Sequence, residues 1–147
     1  DRRQRQMCIR DSVGNADPNA LQVAVAAAQA VERIGMPEAR IILSQAALYV
    51  ATAPKSNACY MAIDKALDVV KNSKTAPVPV HLQDAHYKGS AKLGHGVGYL
   101  YAHDYPNHYV RQQYLPDAYV NEKFYEPGDM GYERDIKKHL DKIKSEA

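Results

Sequence analysis

The chain has 147 residues and a formal net charge of +2 at pH 7, and it carries eleven tyrosines against one Phe and no Trp. That length suffices for one globular domain and is short for two, and two cysteines exclude a disulfide-framed scaffold. No apolar run approaches the ~20 residues that a membrane-spanning helix needs, and no secretory leader is visible, so a cytoplasmic protein is expected.

Arg2 to Ser12 read Arg-Arg-Gln-Arg-Gln-Met-Cys-Ile-Arg-Asp-Ser. This run resembles the in-frame translation of a transposase sequencing adapter, so residues 1–12 are expected to be a non-native disordered tail. The other reading is a natural basic arm. Without Arg2, Arg3, Arg5, Arg10, Asp1 and Asp11, 15 basic side chains face 15 acidic ones. Net charge then points neither toward nor away from nucleic acid, whose binding needs clustered Lys and Arg. Cys59 stands alone as a small buried hydrophobe, in keeping with a reducing compartment.

Residues 13–73 are predicted to form a core of three antiparallel helices. Asp17-Pro18 starts the first, because a carboxylate caps free amides and proline suits the first helical position; Gly35 stops it. Leu21, Val25, Ala28 and Val31 or Glu32 share a face, and Ala24, Ala26, Ala27 and Ala30 leave room for a close neighbour. Pro37-Glu38 opens the second helix, with Ile41, Ile42, Gln45, Leu48, Tyr49 and Thr52 along its faces until Pro54 ends it. Ser56 caps the third, where Ala58, Met61, Ile63, Ala66, Leu67 and Val70 repeat at three or four residues until about Asn72. Two of these helices carry few large side chains to offset chain entropy of ~1–2 kcal/mol per residue. The alanines fit close intrachain packing and a subunit interface equally well.

Residues 74–128 read as a loop-rich, Tyr- and His-rich segment. Pro77 and Pro79 impose extended chain, a short helix is expected over Leu82 to Leu93, and Gly94 to Gly98 form a loop. Tyr99, Tyr101, His103 and Tyr105 alternate with Leu100, Ala102 and Asp104 ahead of Pro106-Asn107, which allows a small hairpin or an irregular wrap. Residues 129–147 are predicted as a C-terminal helix capped by Asp129. Tyr132, Ile136, Leu140 and Ile143 form its buried stripe, and Lys137, Lys138, Lys142 and Lys144 its solvated face.

The motifs for chemistry are thin. The Gly94–Gly98 loop lacks the Gly-Lys-Ser/Thr of a phosphate loop. His81, His86, His95, His103 and His108 show no metal-ligand spacing and are better read as partners for loop backbone. Ser44, Ser56 and Cys59 have no motif-supported base. Tyr87, Lys88, Lys92, Tyr99 and Tyr101 interleave stacking surfaces with cations, the ingredients of single-strand binding, and form the candidate nucleic-acid contact.

Ordered words run through residues 13 to 147: Val13-Gly14-Asn15-Ala16-Asp17-Pro18, Gly35-Met36-Pro37-Glu38, Ala53-Pro54-Lys55-Ser56-Asn57, Pro79-Val80-His81-Leu82, Tyr101-Ala102-His103-Asp104, Gln113-Tyr114-Leu115-Pro116 and Phe124-Tyr125-Glu126-Pro127. Together they resemble the C-terminal region of the replication-associated recombination protein A family of bacterial AAA+ ATPases, related to the Werner-helicase-interacting ATPase. The resemblance implies a mainly α oligomerisation domain akin to the clamp-loader collar and homotetramer assembly. It also implies a parent ATPase that uses ATP and Mg in domains outside this chain and acts on DNA junctions at stalled forks, near the nucleoid, together with single-strand-binding protein. It carries over no catalytic, cofactor or metal residue, so the fragment itself is expected not to be an enzyme. A single-stranded-DNA or single-strand-binding-protein interaction module is the alternative function.

Overall fold

A computed structural model of the protein describes residues 12–73, 76–83 and 96–146. The adapter-like segment up to Asp11 and most of the helix expected over Leu82 to Leu93 lie outside these residues. The chain divides into two units, one joining Phe124–His139 to the chain up to Leu67, the other joining Asp68–Lys123 to the chain from Leu140 onward.

In the first unit the local signals place the helices. Asp17 Oδ1 accepts from the Asn19 amide at 3.0 Å, and α1 runs Asn19–Ile34. Gly35 ends it at φ 75, its N–H donating to Val31 O at 3.0 Å, a left-handed conformation that costs glycine no Cβ clash. After a cis Met36–Pro37 bond, α2 spans Ala39–Thr52. Pro54 sets its end, since the residue before a proline is driven out of the helical region, and Ala53 sits at φ −61, ψ 145. The Ser56 hydroxyl accepts from the Ala58 amide at 3.1 Å, capping α3, Ala58–Asn72.

Packing in this unit runs on small residues. Val13, Ala16, Ala20, Ala27, Ala39 and Ala53 are the buried hydrophobics there, and Ala24, Tyr49 and Val50 pack on the Val13–Ala20–Ala53 cluster. Leu21, Val25, Ile41 and Leu48 of the predicted stripes remain exposed, while Val31, Ile42 and Tyr49 are half-buried. Alanine brings α1 and α2 close, and these four large side chains stay exposed. Cys59, expected to be buried, is a half-buried free thiol.

The last helix begins later than predicted. α4 runs Glu133–Ser145, and Asp129 does not cap it, because it lies four residues ahead of Glu133; its carboxylate pairs with Lys137 at 2.7 Å. Tyr132 is exposed rather than part of a buried stripe. Its N–H donates to Ala16 O at 2.8 Å, which commits this residue to the loop before the helix. Ile136, Leu140 and Ile143 are half-buried, and Lys137, Lys138, Lys142 and Lys144 are exposed as expected.

Among its described residues the second unit adds to the ends of α3 and α4 short 3-10 turns at Val80–Leu82, Ala102–Asp104, Pro106–His108 and Asp117–Tyr119. No strand occurs among the described residues, so the hairpin is replaced by the irregular wrap. The reason lies at Leu100, whose N–H and C=O are met by the Gln112 side-chain amide at 3.4 and 3.0 Å instead of by a strand backbone. His81 Nε2 donates to Gln113 O at 2.7 Å, and Gln113 Nε2 in turn donates to Leu115 O at 2.8 Å and Asp117 Oδ1 at 2.7 Å. Side chains thus satisfy backbone that regular structure would otherwise pair. No helix of the described residues is long and apolar enough to cross a membrane.

Candidate functional site

Three arrangements stand out from the scaffold. The first is a ring ladder in the second unit. Of the predicted nucleic-acid contacts, Tyr87, Lys88 and Lys92 lie outside the described residues, while Tyr99 and Tyr101 are both exposed. The Gln112 amide holds Leu100 between them. The Tyr101 ring meets His103 at 5.1 Å between centroids, and His103 meets His108 at 4.9 Å, with the planes tilted by 51° and 55°. Spacing alone did not join the two histidines to the tyrosine. Asn107 and His108 make the juxtaposition possible by adopting φ 57 and 51, a left-handed conformation that costs a non-glycine residue on the order of 1–3 kcal/mol. The Asn107 side chain is tied to Glu146 Oε2 at 2.6 Å.

The second arrangement is a buried carboxylate that sequence reading missed. Glu133 is fully buried. Its Oε2 accepts from Ser56 Oγ at 2.6 Å and Gly128 N at 2.8 Å, and its Oε1 from Tyr125 OH at 3.0 Å. Asn15 Nδ2 donates to the same Tyr125 oxygen at 3.2 Å. Burial, and then the hydrogen bond and charge of Glu133, push the Tyr125 hydroxyl above its ordinary value of 10.0 against the opposing Asn15 bond. Gly131, at φ 54, lies where a Cβ would overlap the Ala16 carbonyl. With three donors drawn from Ser56, Tyr125 and Gly128, this buried carboxylate joins segments far apart in the chain. The only sequence signal was Glu133 following a Gly-containing loop, which is too common to single it out.

The third is the outward apolar face of the helices. In α3, Tyr60, Ile63, Leu67 and Val70 are all exposed, Val70 by 76%, and no residue of the helix is buried. Their 3-4-3 spacing is that of an a/d seam, which fits the ridges of another helix. Ile41 and Leu48, one face of α2, are exposed by 67% and 63%.

Residues 2–144 match the family described as MgsA AAA+ ATPase C terminal. The chain belongs to this family. It is 47% identical over 143 residues to an uncharacterized AAA domain-containing protein of Mycobacterium tuberculosis, a match covering 97% of this chain and 32% of the relative. It is 44% identical over 134 residues to replication-associated recombination protein A of Bacillus subtilis, covering 90% and 32%, and 40% identical over 131 residues to the protein of that name in Escherichia coli K12, covering 88% and 29%. The chain thus spans about a third of the length of these curated relatives. The resemblance drawn from the ordered words is therefore correct, and the mainly helical architecture agrees with a C-terminal domain of the AAA+ family.

The phosphate-loop pattern with which an AAA+ ATPase holds ATP and Mg does not occur in this sequence. The sequence has no Gly-Lys pair to bring an ammonium and a following hydroxyl to phosphate. At the glycine loop the Gly96 N–H is spent on Val80 O at 2.9 Å.

Proposed function

We propose that this region of the MgsA-type AAA+ family assembles subunits, holding ATPase modules in a fixed arrangement as a homo-oligomer, a tetramer on the family resemblance, while nucleotide hydrolysis belongs to the rest of a longer chain. In the intact protein, such an assembly would let nucleotide state drive coordinated work on DNA during replication-fork maintenance, recombination and repair. One observation carries the reading: α1 and α2 bury only alanines, α3 buries no residue, and Leu21, Val25, Ile41, Leu48, Ile63, Leu67 and Val70 are exposed. Exposed apolar helix faces of this kind mark an interaction site, and identical subunits most often satisfy them through a symmetric, self-complementary contact. Sedimentation of the chain over a concentration series tests it. Concentration-dependent association is expected; a strictly monomeric species at high micromolar concentration would overturn the reading.

A further inference from the structure

Residues 12–16, which lead into α1, form a strap fastened on two sides within the first unit. On one side is the start of α3. The Ser56 N–H donates to Ser12 O at 2.8 Å, and Gly14, at φ 49, runs so close that a Cβ there would stand 3.0 Å from Ser56 O. On the other side is the loop ahead of α4. Tyr132 N–H donates to Ala16 O at 2.8 Å, Asn15 Nδ2 donates to Tyr125 OH at 3.2 Å, and a Cβ on Gly131 would overlap the Ala16 carbonyl. Between the two sides Val13 and Ala16 are buried. Glu133 closes the circuit, because its carboxylate accepts from both Ser56 and Tyr125.

The helix that begins at this fastening depends on it more than the others do. α1 and α2 bury Ala20, Ala27 and Ala39, whereas α3 buries none of its residues. A helix of this length is marginal in water without a covered face, so the bonds at Ser56 carry a large share of what orders it: the cap on Ala58, the tie to Glu133 and the tie to Ser12. Segments with few buried apolar contacts open at lower free energy than the rest of a fold. The strap therefore meets the molecule where a small loss of bonding has the largest local effect, and any displacement of the chain ahead of Ser12 is delivered there.

We infer that residues 12–16 are a latch on α3. Fastened, the strap orders the helix that presents Tyr60, Ile63 and Leu67; drawn away, it frees the start of α3 while α1 and α2 stay paired. The consequence rests on the assembly reading: a latch that orders an interface helix regulates association, and association in turn holds the latch closed, since coupling between two such equilibria is reciprocal.

Peptide-resolved hydrogen exchange of the full chain tests the latch, and sedimentation tests its consequence. Asn15→Ala removes the tie to Tyr125 without adding bulk, and Gly131→Ala sets a methyl against the Ala16 carbonyl without touching α3. In Asn15→Ala the amides of residues 57–67 should exchange roughly two- to tenfold faster, the effect of one lost hydrogen bond, and in Gly131→Ala faster still, while those of α1 and α2 exchange as in the parent chain. Both variants should also associate more weakly. Unchanged exchange over residues 57–67 in both variants, or acceleration shared equally by all three helices, would overturn the latch. Local acceleration with association unaltered would overturn its link to assembly. A parent chain that never associates would overturn the assembly reading instead, and the exchange pattern would decide the latch by itself.

Discussion

A carboxylate with no solvent contact must find its partners inside the protein, and Glu133 draws them from Ser56, Tyr125 and Gly128. Hydrogen bonds to a charged group contribute about 1.5–3 kcal/mol, and orphaned buried donors cost about 1–3 kcal/mol each. Glu133→Ala should therefore lower the unfolding free energy by roughly 2–4 kcal/mol, read as a reduced urea midpoint; a midpoint within error of the parent would show that the three donors find water instead. Tyr125 adds a pH dependence of definite sign. Its folded-state pKa lies above 10.0, so the fold favours the protonated phenol. That stability is fully present below pH 10 and is lost as pH rises through the folded value. Tyr49 acts in the same direction, chiefly through its hydrogen bond to Asp17 and then through desolvation. Thermal melts from neutral to alkaline pH should show a decline that Tyr125→Phe makes shallower, and an unchanged slope in that variant would remove Tyr125 from the account.

At the scale of elements, α3 is the revealing case. A helix of about fifteen residues is marginal in water unless an apolar face is covered, yet none of the residues of α3 is buried. Its start is secured by Ser56, which caps Ala58 and also donates to Glu133. Ser56→Ala removes both contacts and should cost about 1–3 kcal/mol of stability, readable by denaturant titration. The seam behaves differently. Because Ile63 and Leu67 are exposed, Ile63→Lys and Leu67→Lys should change the stability of the isolated subunit by no more than about 0.5 kcal/mol while shifting sedimentation toward the monomer. Unaltered association in these variants would move the interface to α1 and α2 and leave assembly itself standing.

At the scale of the whole molecule, association and folding are linked: whatever binds only the folded chain raises its apparent stability with concentration. The melting temperature should therefore climb as protein concentration rises, and a melting temperature independent of concentration would argue against the assembly reading. Helix positions were legible in the sequence because short-range chemistry decides them. Asp17, Gly35, Pro54 and Ser56 act on amides or backbone angles within a few residues of themselves, and the ordered words that revealed the family needed no coordinates. The Asp129 cap failed because loop residues between it and Glu133 were already committed, Tyr132 to the distant Ala16 carbonyl. Three features were decided only by tertiary structure. The Glu133–Ser56 and Asn15–Tyr125 bonds join residues 77 and 110 positions apart. The alanine packing of α1 on α2 determined which apolar side chains face outward. The ring ladder includes a stretch of two left-handed residues, of which Asn107 is tied to Glu146. Periodicity records which residues share a face, but the direction of that face is set by what the remainder of the chain leaves uncovered.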